Sequence, residues 1–362
     1  METILLHGEQ EKELEKAAQL LRAGETVAFP TETVYGLGAN ALDTDAVRKI
    51  YEAKGRPSDN PLIVHIYDTK QLAELTDNVP ELAQKLMDAF WPGPLTLIFK
   101  KREGAVPACV TGGLDTVAVR MPNHPMALNL LRLTGLPVAA PSANLSGKPS
   151  PTAVSHVQHD LDGRIAAIVS GGKCAVGVES TVLDVSGAVP VILRPGGVTK
   201  EQLEEVTGGP VRYAAPFASA EETPRAPGMK YTHYAPDAPV YICTGTPEEI
   251  AAKIDEALLP YRGGAGVMLS AQTLRLLQNQ DGNLVVNLGS KDDLKQITCN
   301  LFAALRYFDD SDVEAIYTED FPTEEIGAAL MNRLQKAAGS SCIKAVAYQK
   351  EQQAEYLYPL HE

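Results

Sequence analysis

The sequence predicts an α/β protein of two domains: a twisted, mostly mixed sheet with packed helices over residues 1–208, then a smaller, Rossmann-like or flavodoxin-like parallel α/β domain over 239–350. Three observations carry this. The first half mixes hairpin-like with crossover spacings, and the second alternates strand and helix regularly from Pro239 onward. Between them, residues 209–238 hold prolines at 210, 216, 224, 227 and 236 with little periodicity, the mark of an interdomain linker. Residues 351–362 read as a C-terminal tail.

Taken in order, Glu9 to Arg22 is an amphipathic helix with Leu14, Ala17, Ala18 and Leu21 on one face and Gly24 to end it. Thr26 to Phe29 is a short buried strand that Pro30 stops. A loop rich in hydroxyls and glycine follows: Thr31, Glu32, Thr33 and Tyr35 offer donors and acceptors, and Gly36 and Gly38 permit close backbone approach or positive φ. Asp43 or Thr44 caps the next helix, which carries Ala46, Val47, Ile50 and Tyr51 at helical spacing. Lys54 and Arg56 follow on a tight turn made by Gly55 and Pro57, either to complement the helix dipole or to meet an anion together.

Leu62 to Ile66 reads as a strand that includes His65, a position where a hydrogen-bonded structural histidine is the ordinary expectation. A helix from Pro80 to Phe90, the rigid turn Trp91-Pro-Gly-Pro94 and strand Leu95 to Lys100 come next. Thr116 to Met121 is a strand containing Arg120, and Pro125 to Leu133 a helix closed by Gly135. The strand Pro137 to Ala140 runs into a second polar loop, Pro141-Ser142-Ala143-Asn144-Leu145-Ser146-Gly147. Ligands in open α/β sheets bind beyond strand carboxyl ends, so two such loops are expected to converge. The helix Thr152 to Asp160 carries His156 and His159 without a carboxylate or cysteine cluster, so no metal site is expected there. Strands at 165–169, 181–185 and 191–193 and a helix from Lys200 to Val206 complete the first domain. Ser170-Gly171-Gly172-Lys173 lacks the spacing of a phosphate-binding P-loop.

In the second domain, Thr246-Pro247-Glu248-Glu249 supplies a cap, a first-turn proline and a capping-box glutamate for a helix to Leu258. Strands are expected at 240–243, 266–269, 284–288 and 313–317, and helices at 271–278, 294–308 and 325–337. No glycine fingerprint or catalytic cluster marks this domain.

The chain of 362 residues is 44% apolar with a formal charge of −14, and no run of eighteen apolar residues is present. Five widely spread cysteines without a CxxC pair argue against a disulfide framework, and no export leader is read, so the expected compartment is the cytoplasm. The acidic balance argues against stable tRNA binding or any nucleic-acid binding through phosphate neutralisation. Residues 1–208 carry 19 Lys plus Arg against 25 Asp plus Glu (−6), and residues 209–362 carry 13 against 21 (−8). Lys54, Arg56, Arg120 and Arg194 thus lie in the less acidic half, where a small anion fits better than a duplex.

The ordered set PTETVYGLG, Lys54-Gly-Arg56, Ser142-Ala-Asn144, Glu179-Ser180-Thr181-Val182 and Leu193-Arg194-Pro195-Gly196-Gly197 resembles the YrdC-type family, and PGMKYTHYAP at 227–236 resembles its longer, two-domain form. The resemblance implies a YrdC-like open sheet with a deep concave site. It also implies an L-threonylcarbamoyladenylate synthase reaction, in which L-threonine, bicarbonate and ATP give the adenylate, pyrophosphate and water for a downstream tRNA threonylcarbamoyl-transfer complex. Lys54 and Arg56 would be catalytic. Thr33, His65, Arg120, Ala140 and Ser180 would bind threonine, while Arg56, Asn60, Thr116, Ser142, Asn144, Ser150, Arg194, His233 and Tyr234 would lie on the ATP side. Mg²⁺ would arrive with ATP, and no protein metal site or membrane partner is implied. Two alternatives are weighed: carbamoyl-adenylate chemistry on the same fold, which belongs to larger fusions, and a non-catalytic RNA-binding or ribosome-assembly factor. Lys54 and Arg56, read as loop residues, are expected to be replaceable without loss of fold, and 227–236 is expected to act as a lid.

Overall fold

The computed structural model describes residues 2–215, 224–229, 233–261, 263–339 and 342–344, the last three by backbone alone. The chain divides into two compact units, Met1–Tyr231 and Thr232–Glu362. In the first, eleven strands form one sheet: β1 Ile4–His7, β2 Val27–Phe29, β3 Gly36–Asn40, β4 Ile63–His65, β5 Leu95–Lys100, β6 Thr116–Arg120, β7 Val138–Ala139, β8 Ala167–Ser170, β9 Thr181–Asp184, β10 Val191–Arg194 and β11 Arg212–Tyr213. Their order is β1-β8-β2-β3-β7-β4-β6-β5-β9-β10-β11. The sheet is mixed: β2 runs parallel to β8 and antiparallel to β3, while β4 and β6 run parallel to one another and antiparallel to β7 and β5.

Local signals set the helices that frame this sheet. Asp43 accepts from the amides of Asp45 and Ala46 to start the helix Thr44–Lys54, and Gly55, at φ 61°, ends it in the left-handed region. Lys54 is therefore the last helical residue rather than part of the turn. The stretch from Gly36 to Asn40, read from sequence as loop, is a strand. Gly38 is required there by close packing rather than by positive φ, because a Cβ would come 2.8 Å from both Phe29 Cε1 and Val138 Cγ1.

Two cores cover the sheet. One face packs Val64, Val117, Val119, Leu97 and Phe99 against helix residues including Val47, Ile50 and Leu86. On the other face, Phe29, Val138 and Ala140 meet Leu14, Leu130 and Leu131 of the helices Glu11–Arg22 and Pro125–Thr134. Farther along that second face, Ile63, Ala118, Ile98, Val182 and Leu193 are covered by Ala226 and Met229 of the linker.

The second unit holds a five-stranded parallel sheet of β12 Val240–Thr244, β13 Ala265–Ser270, β14 Leu284–Gly289, β15 Ala315–Glu319 and β16 Cys342–Lys344, in the order β14-β13-β15-β12-β16. The expected parallel character is present, with an interleaved order: β12 connects to β13 across β15, and β15 to β16 across β12. The fifth strand was not anticipated, and the helix at Ala271–Leu274 is a single turn rather than two. At the carboxyl end of the sheet, buried Glu319 accepts from the Ser270 amide at 2.6 Å, from Thr273 Oγ1 at 2.8 Å and from Lys291 Nζ at 3.0 Å.

Candidate active site

The two polar loops do meet, because β2 and β7 run in the same direction and end at the same edge of the sheet. Leu37 donates its amide to Pro141 O at 2.8 Å, Ala143 to Tyr35 O at 2.8 Å, and Gly36 bridges to Ser142. Within the first loop Thr31 Oγ1 donates to Val34 O at 2.7 Å and lies 2.8 Å from Thr33 Oγ1, so the loop is folded on itself before any ligand arrives. Tyr35 fastens it from behind, donating to Gly172 O at 2.8 Å.

Lys54 ties the second loop down. Its Nζ donates to Ser142 O at 2.6 Å and to Asn144 O, and Ser146 returns an amide to Lys54 O at 2.9 Å. Asn144 Nδ2 then closes the loop on Leu145 O and Lys148 O. Arg56 turns the other way, its Nη2 donating to Pro61 O at 3.1 Å. Asn60 lies beside it, buried, with an Oδ1 that accepts no hydrogen bond among the described residues. Since Ile63 is in register with Ala118, Pro61 falls opposite Thr116. The positions Lys54, Arg56, Asn60, Thr116, Ser142 and Asn144 therefore gather at one edge of the sheet.

The residues expected on the amino-acid side form a second group. β4 and β6 run antiparallel to β7, so His65 and Arg120, which are in register, lie farther along the sheet and on its face. Arg120 donates from Nη1 to Thr33 Oγ1 at 2.9 Å and from Nε to Gly93 O at 3.2 Å, and its Nη2 stands 2.6 Å from Glu32 Oε1. His65 lies edge-on to Phe29 with ring centroids 6.2 Å apart. Burial, reinforced by the Arg120 charge, pushes its pKa down to about 3, which leaves a neutral imidazole. Ala140 is buried beside this pair, its amide donating to Ile63 O at 2.9 Å.

A third group joins the face. Ser180 Oγ lies 2.8 Å from Thr96 Oγ1, and Arg194 donates to Ser180 O from Nη2 at 3.0 Å and to Pro227 O of the linker from Nη1 at 3.3 Å. Ser150 donates to Glu179 next door. Arg194 and Ser150, expected on the nucleotide side, are thus grouped with Ser180. Linker residues 224–229 pack on this unit, with Arg225 paired to Asp184 at 3.0 Å.

His233 and Tyr234 belong to the second unit. Tyr234 adopts a φ of 67° and stacks on Phe302 at 5.2 Å, with the Arg333 guanidinium 5.4 Å from its ring. Residues 230–232 of the expected lid lie outside the described residues. The sequence assigned no role to Thr96, and it named Glu32 and Glu179 only as members of the first polar loop and of a motif. Among the described residues no group of three His, Cys, Asp or Glu is placed to hold a metal ion, and no helix is long and apolar enough to cross a membrane.

The neutral state of His65 has a measurable consequence. Its unfolded imidazole takes a proton near pH 6.5 and the folded one near 3, so between these values the unfolded chain binds more protons. Stability is expected to fall as pH drops through that window, by up to about 1.4 kcal/mol per pH unit from this group. Urea unfolding of the wild type and of His65→Gln at pH 7, 5 and 4 checks it: the variant's curve is the flatter one, and parallel curves would contradict the assignment.

A family model for Sua5, YciO and YrdC proteins, described as telomere recombination, matches residues 19–196. A second, described as the C-terminal domain of threonylcarbamoyl-AMP synthase, matches residues 198–339. The threonylcarbamoyl-AMP synthase of Bacillus subtilis is 54% identical over 335 residues, covering 92% of this chain and 94% of that protein. The corresponding protein of Pyrococcus abyssi is 48% identical over 338 residues, covering 92% and 96%. The crystal structure of P. abyssi Sua5 complexed with L-threonine superposes with a TM-score of 0.87 at 46% identity, covering 95% of this chain and 99% of that one.

Proposed function

The chain belongs to the Sua5/YciO/YrdC family in its two-domain form, and from that premise we propose that it makes threonylcarbamoyl-adenylate, pyrophosphate and water from L-threonine, bicarbonate and ATP. The observation that carries this reading is a set of four buried cations in the first unit, Lys54, Arg56, Arg120 and Arg194, exposed by only 2 to 9%, around two loops fastened to one another. Buried cations in an otherwise acidic protein suit a small polyanion and a transition state with developing charge on phosphate.

In this reading Lys54, Arg56, Asn60, Thr116, Ser142 and Asn144 hold the triphosphate edge, with Ser150 and Arg194 contributing to the same ligand. Thr33, His65, Arg120, Ala140 and Ser180 take the amino acid, with Arg120 meeting its carboxylate. The amine forms a carbamate with bicarbonate. A carbamate oxygen then bonds to the α-phosphorus as the bond to the pyrophosphate oxygen breaks, so no protein nucleophile is needed. Mg²⁺ would arrive on the triphosphate with its own water, which is how that ion is commonly carried. The product is labile, and linker residues 224–229 over the sheet face help to shield it. The adenylate would pass in the cytoplasm to the complex that transfers threonylcarbamoyl to tRNA.

The test is pyrophosphate release with each substrate omitted in turn. Release is expected to need ATP, threonine and bicarbonate together. Equal release without the amino acid would make the protein an ATPase and end the proposal.

A further inference from the structure

We propose that Glu32 receives the amino group of the substrate amino acid and takes its proton, making the amine a nucleophile for bicarbonate. This rests on the reading of Arg120 as the carboxylate partner given above. Glu32 is 8% exposed, and neither of its carboxylate oxygens accepts a hydrogen bond among the described residues. Arg120 Nη2 approaches Oε1 to 2.6 Å as an ion pair without hydrogen-bond geometry. Buried carboxylates are ordinarily supplied with donors, so one that lacks them is held ready for a donor from outside the protein.

The surroundings say which donor. The backbone of Glu32 is fixed by the Val176 amide at 2.8 Å, and Thr33, the next residue, already binds Arg120 Nη1. A guanidinium and a carboxylate are thereby presented side by side on one buried face. An amino-acid zwitterion is the complementary ligand: its carboxylate meets the cation, and its ammonium brings three N–H donors to the anion. The titratable groups facing Glu32 are Arg120 from β6 and His124 from the segment before helix Pro125–Thr134, with His65 beyond Arg120. Burial holds the pKa of His124 below its ordinary value against the opposing pull of Glu32, and that of His65 down to about 3.

The step balances without a further reactant. Glu32 takes one proton from the ammonium, and the neutral amine nitrogen bonds to the bicarbonate carbon. The C–OH bond breaks, and the departing hydroxide takes a second proton from nitrogen and leaves as water. Glu32 then returns its proton to solvent, and the carbamate proceeds to the α-phosphorus.

Glu32→Gln keeps the size of the side chain and removes the base. With all three substrates saturating, its kcat for pyrophosphate release is expected to fall by about 10²-fold at neutral pH. It should recover by about tenfold per pH unit toward the pKa of the free amine, as solution supplies the neutral form, while the wild-type kcat stays nearly level. Glu32→Asp, which retracts the carboxylate, should fall between the two, and it carries the test if the glutamine variant does not fold. A Glu32→Gln enzyme with wild-type kcat at neutral pH, or one depressed by the same factor at every pH, overturns the proposal and leaves Glu32 as a support for Arg120. Either result with a wild type that still requires all three substrates leaves the functional reading standing, so the two failures are distinct.

Discussion

Replacing Lys54 with alanine is expected to lower pyrophosphate release by about 10²-fold to 10³-fold, the loss usual when a charge aimed at a reacting phosphate is removed. It is also expected to lower the melting temperature. Read as a loop residue, Lys54 seemed free to be replaced without structural cost. In the fold it is 2% exposed, in the last turn of its helix, and its ammonium donates to the carbonyls of Ser142 and Asn144. Removing it strips buried carbonyls of a charged donor, at about 1–3 kcal/mol, and loosens the loop that holds Ser142 and Asn144 in place. Arg56→Ala should lose turnover as well, and its Nη2 donates to Pro61 O and Asn60 O. Calorimetric melting beside single-turnover pyrophosphate release tests both. Full activity in Lys54→Ala would mean that the phosphate side has been misplaced.

Replacing Arg120 with alanine is expected to weaken threonine by about tenfold to 10²-fold, from the ~1.5–3 kcal/mol of a charged hydrogen-bonded partner, while ATP affinity changes much less. The asymmetry follows from position. Arg120 lies on the sheet face with Thr33, Glu32 and His65, whereas the residues proposed for the phosphate side gather at the sheet edge where β4 and β6 begin. Arg120→Ala also leaves Glu32 without its cation, so some loss of stability accompanies the loss of threonine. Titration calorimetry with each ligand separately decides the matter. Equal weakening of both ligands would show that Arg120 supports the whole unit rather than one half of the site.

What the sequence determined by itself was local and short in range. Apolar spacing placed most helices within a residue or two, Asp43 and Gly55 marked the ends of the helix that delivers Lys54, and the hydroxyl-rich runs after two strands named the loops that meet. Period-two and period-3.6 patterns fix which face of an element is buried, and capping residues fix where it stops, because those effects act within a few residues. The direction and order of strands are set by pairings between residues far apart in the chain, and no local pattern encodes them. Only the tertiary structure could therefore show that β4 and β6 run against β7 and side by side in parallel, which puts His65 and Arg120 in register with one another. Likewise, Gly36–Asn40 read as loop until Phe29 and Val138 closed around Gly38 as a strand. Glu32 shows the same limit most plainly. As one polar residue among several in a loop it had no distinguishing mark, and it stands out only in the fold, where it is buried with Arg120, 88 positions along the chain, 2.6 Å away and its oxygens accept no hydrogen bond among the described residues.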